Sequence, residues 1–337
     1  MSLLSLPQRL QTVKLKKYSL VLLGLFLIFL VNCSPSSSPP LRIAIQLIWP
    51  SFGTAFIAQE KGLFAKYGIQ VTLIPAAGDS GYTEVLKLYK EGKVDAAFMM
   101  IADALTLDAE GIPARIIYTV DYSDTSDVIV GHPSLKSLSD VKGKRVSFDG
   151  FNTFSHLLVL KLLEKAGVRE GEFQTANMSP SQVLNALETG KIQAGHVYGT
   201  AATNTLSKGY KVLEKAGNIA HLMLEGLIVT PEIIKSRHEE VQKLVKALAE
   251  AVEWLQRSPK ESLDIIAQHT DVPRIELENT LKGLHLLTLS ETRESFKRDG
   301  YLFRGGQEIV DFFYQKGVLI KLPNLNLIID DQFVKSF

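Results

Sequence analysis

The stretch LRIAIQLIWPSFGTAFIAQEKGLFAKYGIQVTLIPAAGDS, residues 41–80, decides the fold. Leu41 to Ile48 is a mostly apolar run with β-branched members, the pattern of a strand buried on both faces. Phe52 to Tyr67 carries apolar residues at helical spacing and stops at Gly68. Ile69 to Pro75 again reads as a strand. A strand, a helix and a strand in so short a span form the unit from which helix-covered parallel sheets are built.

The same alternation continues outward. Tyr82 to Glu91 is helix-like before Gly92, Val94 to Met100 is a strand, Ala102 to Glu110 a helix and Ala114 to Val120 a strand. A second round follows: strand Lys144–Phe148, helix Phe154–Ala166, strand Phe173–Ala176. Ser179-Pro180-Ser181-Gln182 opens the next helix, with Ser179 as N-cap, Pro180 at the first helical position and Gln182 closing a capping box. Ile192–Val197 is a strand, Thr200–Lys208 a helix and Lys211–Leu213 a short strand. From Pro231 the chain reads as nearly all helical, and Val241, Leu244, Val245, Leu248, Val252 and Leu255 share one helical face. The fold class expected is α/β, with two lobes, two parallel-rich sheets flanked by helices, and a helical C-terminal layer.

The N-terminal segment reads differently. Arg9, Lys14, Lys16 and Lys17 precede an apolar run from Ser19 to Val31. That run matches a signal-peptide core and is shorter than the roughly 20 residues of a membrane-spanning helix. Cys33, the only cysteine in 337 residues, ends it, and a Ser/Pro linker runs to Pro40. Leu30-Val31-Asn32-Cys33 resembles the bacterial lipobox, which implies cleavage before Cys33, lipidation of its thiol and acylation of the new amine; Asn32 departs from the usual Gly, Ala or Ser. Without residues 1–32 the net charge moves from +1 to −3. That is no footprint for nucleic acid, which is not an expected partner.

In open parallel sheets, ligands sit at the carboxyl ends of the strands. The loops there hold the candidate binding residues: Trp49, Pro50, Phe52 and Thr54 after the first strand, then Gly78, Asp79 and Ser80, then Ile101. Their counterparts in the second round are Phe151, Asn152, Thr153, Phe154 and Ser155, then Asn177, then Tyr198. Nearly every loop enters a helix, whose free N–H groups suit anions. Aromatics beside small hydroxyl residues make an amphipathic pocket.

Four segments resemble the nitrate/sulfonate/taurine substrate-binding proteins of ABC importers: IWPSFGTAFIAQEKGLFAKYGIQVTLIPAAGDS (48–80), LYKEGKVDAAFM (88–99), DYSDTSDVIVGHPSLKSLSDVKGKRVSFDG (121–150) and LETGKIQAGHVYG (187–199). Glu60-Lys61-Gly62-Leu63-Phe64 followed by Tyr67-Gly68-Ile69 is the most specific part. The resemblance implies a type II periplasmic-binding-protein fold, two lobes joined by two crossing strands near Asp127–Gly131 and Gly226–Thr230. On that pattern residues 1–32 are a signal peptide, 33–40 a lipid-anchored linker, 41–127 with 229–337 one lobe and 128–228 the other. It further implies a ligand role for Ser123 and Asp127, in a crossover usually reading Ser-x-Gly-Ala-Asp; Thr125 replaces its glycine. The implied protein is a monomer of the cell envelope. Its partners are a small polar, sulfonate-like or heteroaromatic solute captured by hinge closure, a permease with its ATPase, and the membrane through the anchor alone.

Enzyme readings fare worse on the residues. A cysteine in the leader supplies no catalytic thiol to the remaining chain. His132, His156, His196 and His221 are scattered, with no metal-binding spacing. Gly-x-Ser-x-Gly, Walker A and Gly-x-Gly-x-x-Gly are absent. No cofactor or metal is expected. Pyrimidine-precursor synthases share this fold but carry a cysteine-rich motif, which this chain does not match. The alternatives are a tethered sensor that presents its ligand-bound form to a membrane receptor and, less favoured by the residues, such a synthase.

Overall fold

The computed structural model describes residues 38–78 and 81–335; the expectations on Cys33, Asp79 and Ser80 lie outside the described residues. Two mixed sheets form its frame. The first has six strands: β1 (Leu41–Gln46), β2 (Val71–Ala76), β3 (Ala96–Met100), β4 (Arg115–Ser123), β10 (Leu224–Val229) and β11 (Leu284–Leu286), in the order β11-β4-β10-β3-β1-β2. The second has five: β5 (Val128–Gly131), β6 (Arg145–Phe148), β7 (Gln174–Asn177), β8 (Ala194–Val197) and β9 (Lys211–Lys215), in the order β7-β6-β8-β5-β9.

The βαβ units expected from the alternation appear as parallel pairs, β1 with β2 and β3, and β6 with β7 and β8. Strands that arrive from the other half pair antiparallel, as β10 does with β3 and β4, and β5 with β8 and β9. The return crossing is residues 216–223, ahead of the expected Gly226–Thr230. The reason is burial. Leu224, Leu227 and Ile228 are at most 1% exposed, and the strand they form covers that apolar surface only at the centre of the first sheet. Residues 224–228 therefore belong with the first sheet and not with the second lobe.

Local chemistry explains most element ends. Ser179 and Gln182 close the capping box of helix Pro180–Glu188, with Pro180 in the first turn. Thr153 caps helix Phe154–Lys165 by accepting from His156 N. The single helix expected over Phe52–Tyr67 is two, Thr54–Glu60 and Leu63–Lys66, because Gly62 adopts φ 67°, a left-handed conformation that no right-handed helix continues through. In the C-terminal layer, helix His238–Arg257 buries all six expected apolar residues. Fully burying each such side chain contributes about 1.5–3 kcal/mol. That layer is not wholly helical, since Leu284–Leu286 adds β11 to the edge of β4.

The first crossing is residues 124–127, just ahead of the expected Asp127–Gly131, because Val128–Gly131 already form β5 of the second sheet; the two crossings are bonded to each other and to this layer. Gly217 N donates to Asp124 O at 2.7 Å and Ala216 N to Asp127 O at 3.0 Å. Asp124 N and Thr125 N both donate to Gly283 O at 2.9 Å, and Ser126 Oγ to Thr280 O at 2.6 Å. Thr125 is not among the left-handed residues, so its replacement of glycine costs no backbone strain.

Candidate functional site

The strand ends of the first sheet meet the second half of the molecule around a buried polar cluster. β4 ends near Asp121 and β10 begins near Glu225, and their antiparallel register sets these two carboxyls opposite each other. Trp49, from the loop after β1, donates from Nε1 to Asp121 Oδ2 at 3.3 Å. Ser51, in the same loop, stands near the same carboxyl, but its Oγ closes no hydrogen bond to it. On the other side, Ser155 Oγ is 2.7 Å from His196 Nδ1, and His196 Nε2 is 2.9 Å from Asp127 Oδ1. A neutral imidazole satisfies both: the Ser155 hydroxyl donates to Nδ1, and Nε2–H donates to Asp127. Asp149 N donates to Ser155 Oγ and Asp127 N to Ser123 Oγ, so both serines are held by backbone.

Aromatic rings join the two halves. Trp49 meets Tyr198 edge-on at 6.2 Å, and Tyr82 meets Phe154 edge-on at 5.4 Å. Phe154 also packs edge-on to His196 at 5.9 Å. Tyr82 Oη donates to Asp103 Oδ2 at 2.6 Å, and the same carboxyl accepts from Phe154 N. Asp103 thus sits at the start of helix Phe154–Lys165, where free N–H groups favour negative charge. Farther out, the Thr200 hydroxyl bonds the Glu276 carboxylate.

Electrostatically the cluster is acidic. Burial pushes Asp121 up to about 6 and Asp103 up to about 6. Glu225 is driven up furthest, first by burial and then by the Asp121 charge. The two carboxyls titrate as a pair that holds a proton more readily than isolated carboxyls do. No buried lysine or arginine offsets these groups among the described residues. Gln46 Nε2, Ser51 Oγ, Asp121 Oδ1 and Glu225 Oε2 are buried without a hydrogen-bond partner among the described residues. Ser147 Oγ and Ser262 Oγ are likewise unpartnered elsewhere, but Ser51, Asp121 and Glu225 stand together, with Gln46 at the end of the neighbouring β1, and buried polar atoms are nearly always paired, so these are groups that a ligand can satisfy. No group of three or more His, Cys, Asp or Glu is disposed to hold a metal ion among the described residues.

The structure brings six of the expected residues to this cluster: Trp49, Ser123, Asp127, Phe154, Ser155 and Tyr198. Others go elsewhere. Phe52 stacks on Phe98 at 5.3 Å in the core, because it precedes helix Thr54–Glu60 on its sheet-facing side. Thr54 spends its hydroxyl on Ser51 O at 2.6 Å, and Thr153 spends its own on Asp149 O at 2.6 Å. Asn177 is exposed and accepts from Gly150 N at 2.9 Å. Phe151 is 56% exposed and rests edge-on against Phe148, while Asn152 is exposed at φ 66°. Pro50 and Ile101 are buried, and Gly78 is exposed at a turn.

Sequence reasoning singled out the loops that hold Ser51 and Asp103 without choosing those residues, and missed Asp121, Glu225, Tyr82 and Gln46. One signal was available: Glu225 is a lone carboxylate between apolar neighbours in a strand, which is costly unless it is used.

The model of the family described as NMT1/THI5 like matches residues 49–262. A Brucella abortus protein provisionally named a binding protein is 27% identical over 310 residues, covering 90% of this chain and 94% of that one. A Saccharomyces cerevisiae 4-amino-5-hydroxymethyl-2-methylpyrimidine phosphate synthase is 24% identical over 253 residues, covering 67% and 72%. Among solved structures, the alkanesulfonate-binding protein SsuA of Xanthomonas axonopodis, bound to MOPS, superposes with a TM-score of 0.70 at 18% identity, covering 88% of this chain and 99% of that one. Its fold is the type II periplasmic-binding-protein fold that the segment pattern implies.

Proposed function

The chain belongs to the NMT1/THI5-like family, and we propose that this protein is the solute-binding component of an ABC importer. The observation that carries the reading is the set of unpaired buried polar atoms of Gln46, Ser51, Asp121 and Glu225, gathered where the two halves meet. The solute enters between the halves, bonds those atoms and packs on Trp49, Phe154 and Tyr198. Closure follows because the solute gains contacts from both halves only when they meet. The closed form then docks on a permease.

The ligand we infer is flat, partly apolar and amine-bearing. Asp103, Asp121 and Glu225 accept from N–H donors, and the acidic cluster opposes a bare sulfonate or nitrate. Asp79 and Ser80, from the loop after β2, complete the expected set. One Asp127 oxygen is committed to His196, which makes it a positioning residue for that ring.

Cleavage before Cys33 and acylation of that cysteine place the protein on the outer face of a membrane, as a monomer. Mass spectrometry of small molecules released from gently purified protein, with calorimetry on the released compound, tests the reading. Recovery of an amine-bearing ring compound that binds again supports it. Recovery of nitrate or a simple sulfonate alone overturns the ligand class, and failure of any released solute to bind overturns the solute-binding role.

A further inference from the structure

The described residues expose nine large hydrophobic side chains, and five of them, Tyr301, Tyr314, Ile320, Leu322 and Leu327, lie within residues 301–327. Single exposed apolar residues need no explanation, but a cluster marks an interaction surface. Ile320 is 97% exposed, at the turn between helices Tyr301–Gln315 and Leu325–Ile328. Beside that turn lies an open cavity of about 660 Å³, lined by Arg298, Phe303, Arg304, Gln307, Asn324 and Asn326 among others. Arg298 lies over the Phe303 ring at 4.7 Å and Arg304 over Tyr301 at 5.4 Å. Neither guanidinium forms an ion pair among the described residues, whereas the nearby Glu294 is held by Lys297 at 2.6 Å. Lys321 stands between Ile320 and Leu322.

We propose that this face docks on an anionic phospholipid surface, Arg298 and Arg304 taking lipid phosphate while Ile320, Leu322 and Leu327 enter the interfacial layer. Guanidinium groups pair with phosphate through two parallel hydrogen bonds, and stacking on Phe303 and Tyr301 leaves their N–H edges free. Apolar side chains flanked by Arg and Lys are the composition of a membrane-surface contact. Charge favours this occupant, since Arg298, Arg304 and Lys321 outnumber the acids beside them, Asp299 and Asp311. The chain beyond residue 32 carries a net −3, so attraction to anionic lipid is a property of this patch and not of the whole molecule. The tethering reading enters only as local concentration, and the test reads independently of it.

The probe is the full chain with Cys33→Ser and Ile320→Cys, labelled with an environment-sensitive fluorophore. Leu327→Cys is a second reporter, and Val212→Cys, exposed on β9, is the control. Vesicles are phosphatidylcholine with or without phosphatidylglycerol, and brominated lipid is the quencher. The expected result is a blue shift and quenching at 320 and 327, several-fold stronger than at 212 and only with phosphatidylglycerol. Arg298→Glu with Arg304→Glu abolishes that difference. Equal signals at 320 and 212 overturn the proposal, as does equal insertion without anionic lipid. A blue shift that grows with protein concentration in the absence of vesicles assigns the face to a second copy of the chain and overturns it too.

Discussion

Asp121 and Glu225 stand opposite each other across the antiparallel pairing of β4 with β10, two carboxyl groups from which water is excluded. Two such groups at close range cannot both ionise cheaply, so one proton is shared between them. The pair gives the proposed site both an acceptor and a donor. It also makes the unliganded protein less stable than an apolar pair would leave it.

That cost has a pH signature. Asp121 is pushed up to about 6, and burial and the Asp121 charge raise Glu225 as well, against unfolded values of about 4. The folded state therefore binds more protons between those values. Stability is fully present below about pH 4 and is lost as pH rises through about 6. Asp121→Asn keeps an acceptor for Trp49 and removes one titrating group. Urea unfolding should show this variant more stable than wild type at pH 8 by up to about 3 kcal/mol, the worth of two pKa units. The gain should vanish near pH 4, while the Asp103 contribution persists in both. A gain that is constant across pH would sink the shared-proton account.

The two tryptophans separate the site from the frame. Trp49 bonds Asp121 and meets Tyr198, whereas Trp254 lies under Lys61 Nζ at 4.4 Å on the helical layer. Ligand-induced fluorescence change should disappear in Trp49→Phe and persist in Trp254→Phe. Trp49→Ala should weaken binding by about 2 kcal/mol or more, as loss of a buried aromatic anchor does. Wild-type affinity in Trp49→Ala, by calorimetry, would move the site elsewhere.

Closure about the crossings predicts compaction. Solution scattering should show a smaller radius of gyration with ligand than without, at unchanged secondary structure. Ligand at 100 times its dissociation constant should add about 2.7 kcal/mol of stability. An unchanged radius at saturation would argue against hinge closure.

Gly283 packs directly on the first crossing. A Cβ there would lie 2.4 Å from Ser126 Oγ, 2.7 Å from Ser126 N and 2.8 Å from Thr125 Oγ1. Backbone cannot swing away as a side chain does, so Gly283→Ala should destabilise by about 1–3 kcal/mol and shift the crossing. Thermal unfolding measures the first effect and the unliganded radius of gyration the second. Wild-type values for both would mean that the crossing is not clamped at this point.

Cys33 is tested outside the fold. Cys33→Ala should end incorporation of a palmitate analogue and, where the leader is still cut, release the protein from membranes. Labelling equal to wild type would defeat the lipoprotein reading.

The alternation at residues 41–120 and 144–213, the capping box at Ser179 and the apolar stripe from Val241 to Leu255 were legible because each is a local pattern. Helical and strand periodicity place side chains on a face whatever lies beyond it. The loop positions of Trp49, Phe154 and Tyr198 were legible for the same reason, since a strand followed by a helix has a predictable end. Phe52 and Thr54 show the limit of that reasoning. They occupy the right loop, but packing on Phe98 and a bond to Ser51 O turn them inward.

The sequence by itself determined an α/β chain of two rounds with a helical tail, because hydrophobic period and turn chemistry act between near neighbours. Only the tertiary structure decided that Asp121 meets Glu225, that Ser155, His196 and Asp127 form one hydrogen-bonded chain, and that Gly283 grips the crossing. Those groups lie far apart along the chain. The register and sheet order that bring them together are set by which strands bury the most apolar surface, a sum over the whole molecule that no single stretch contains.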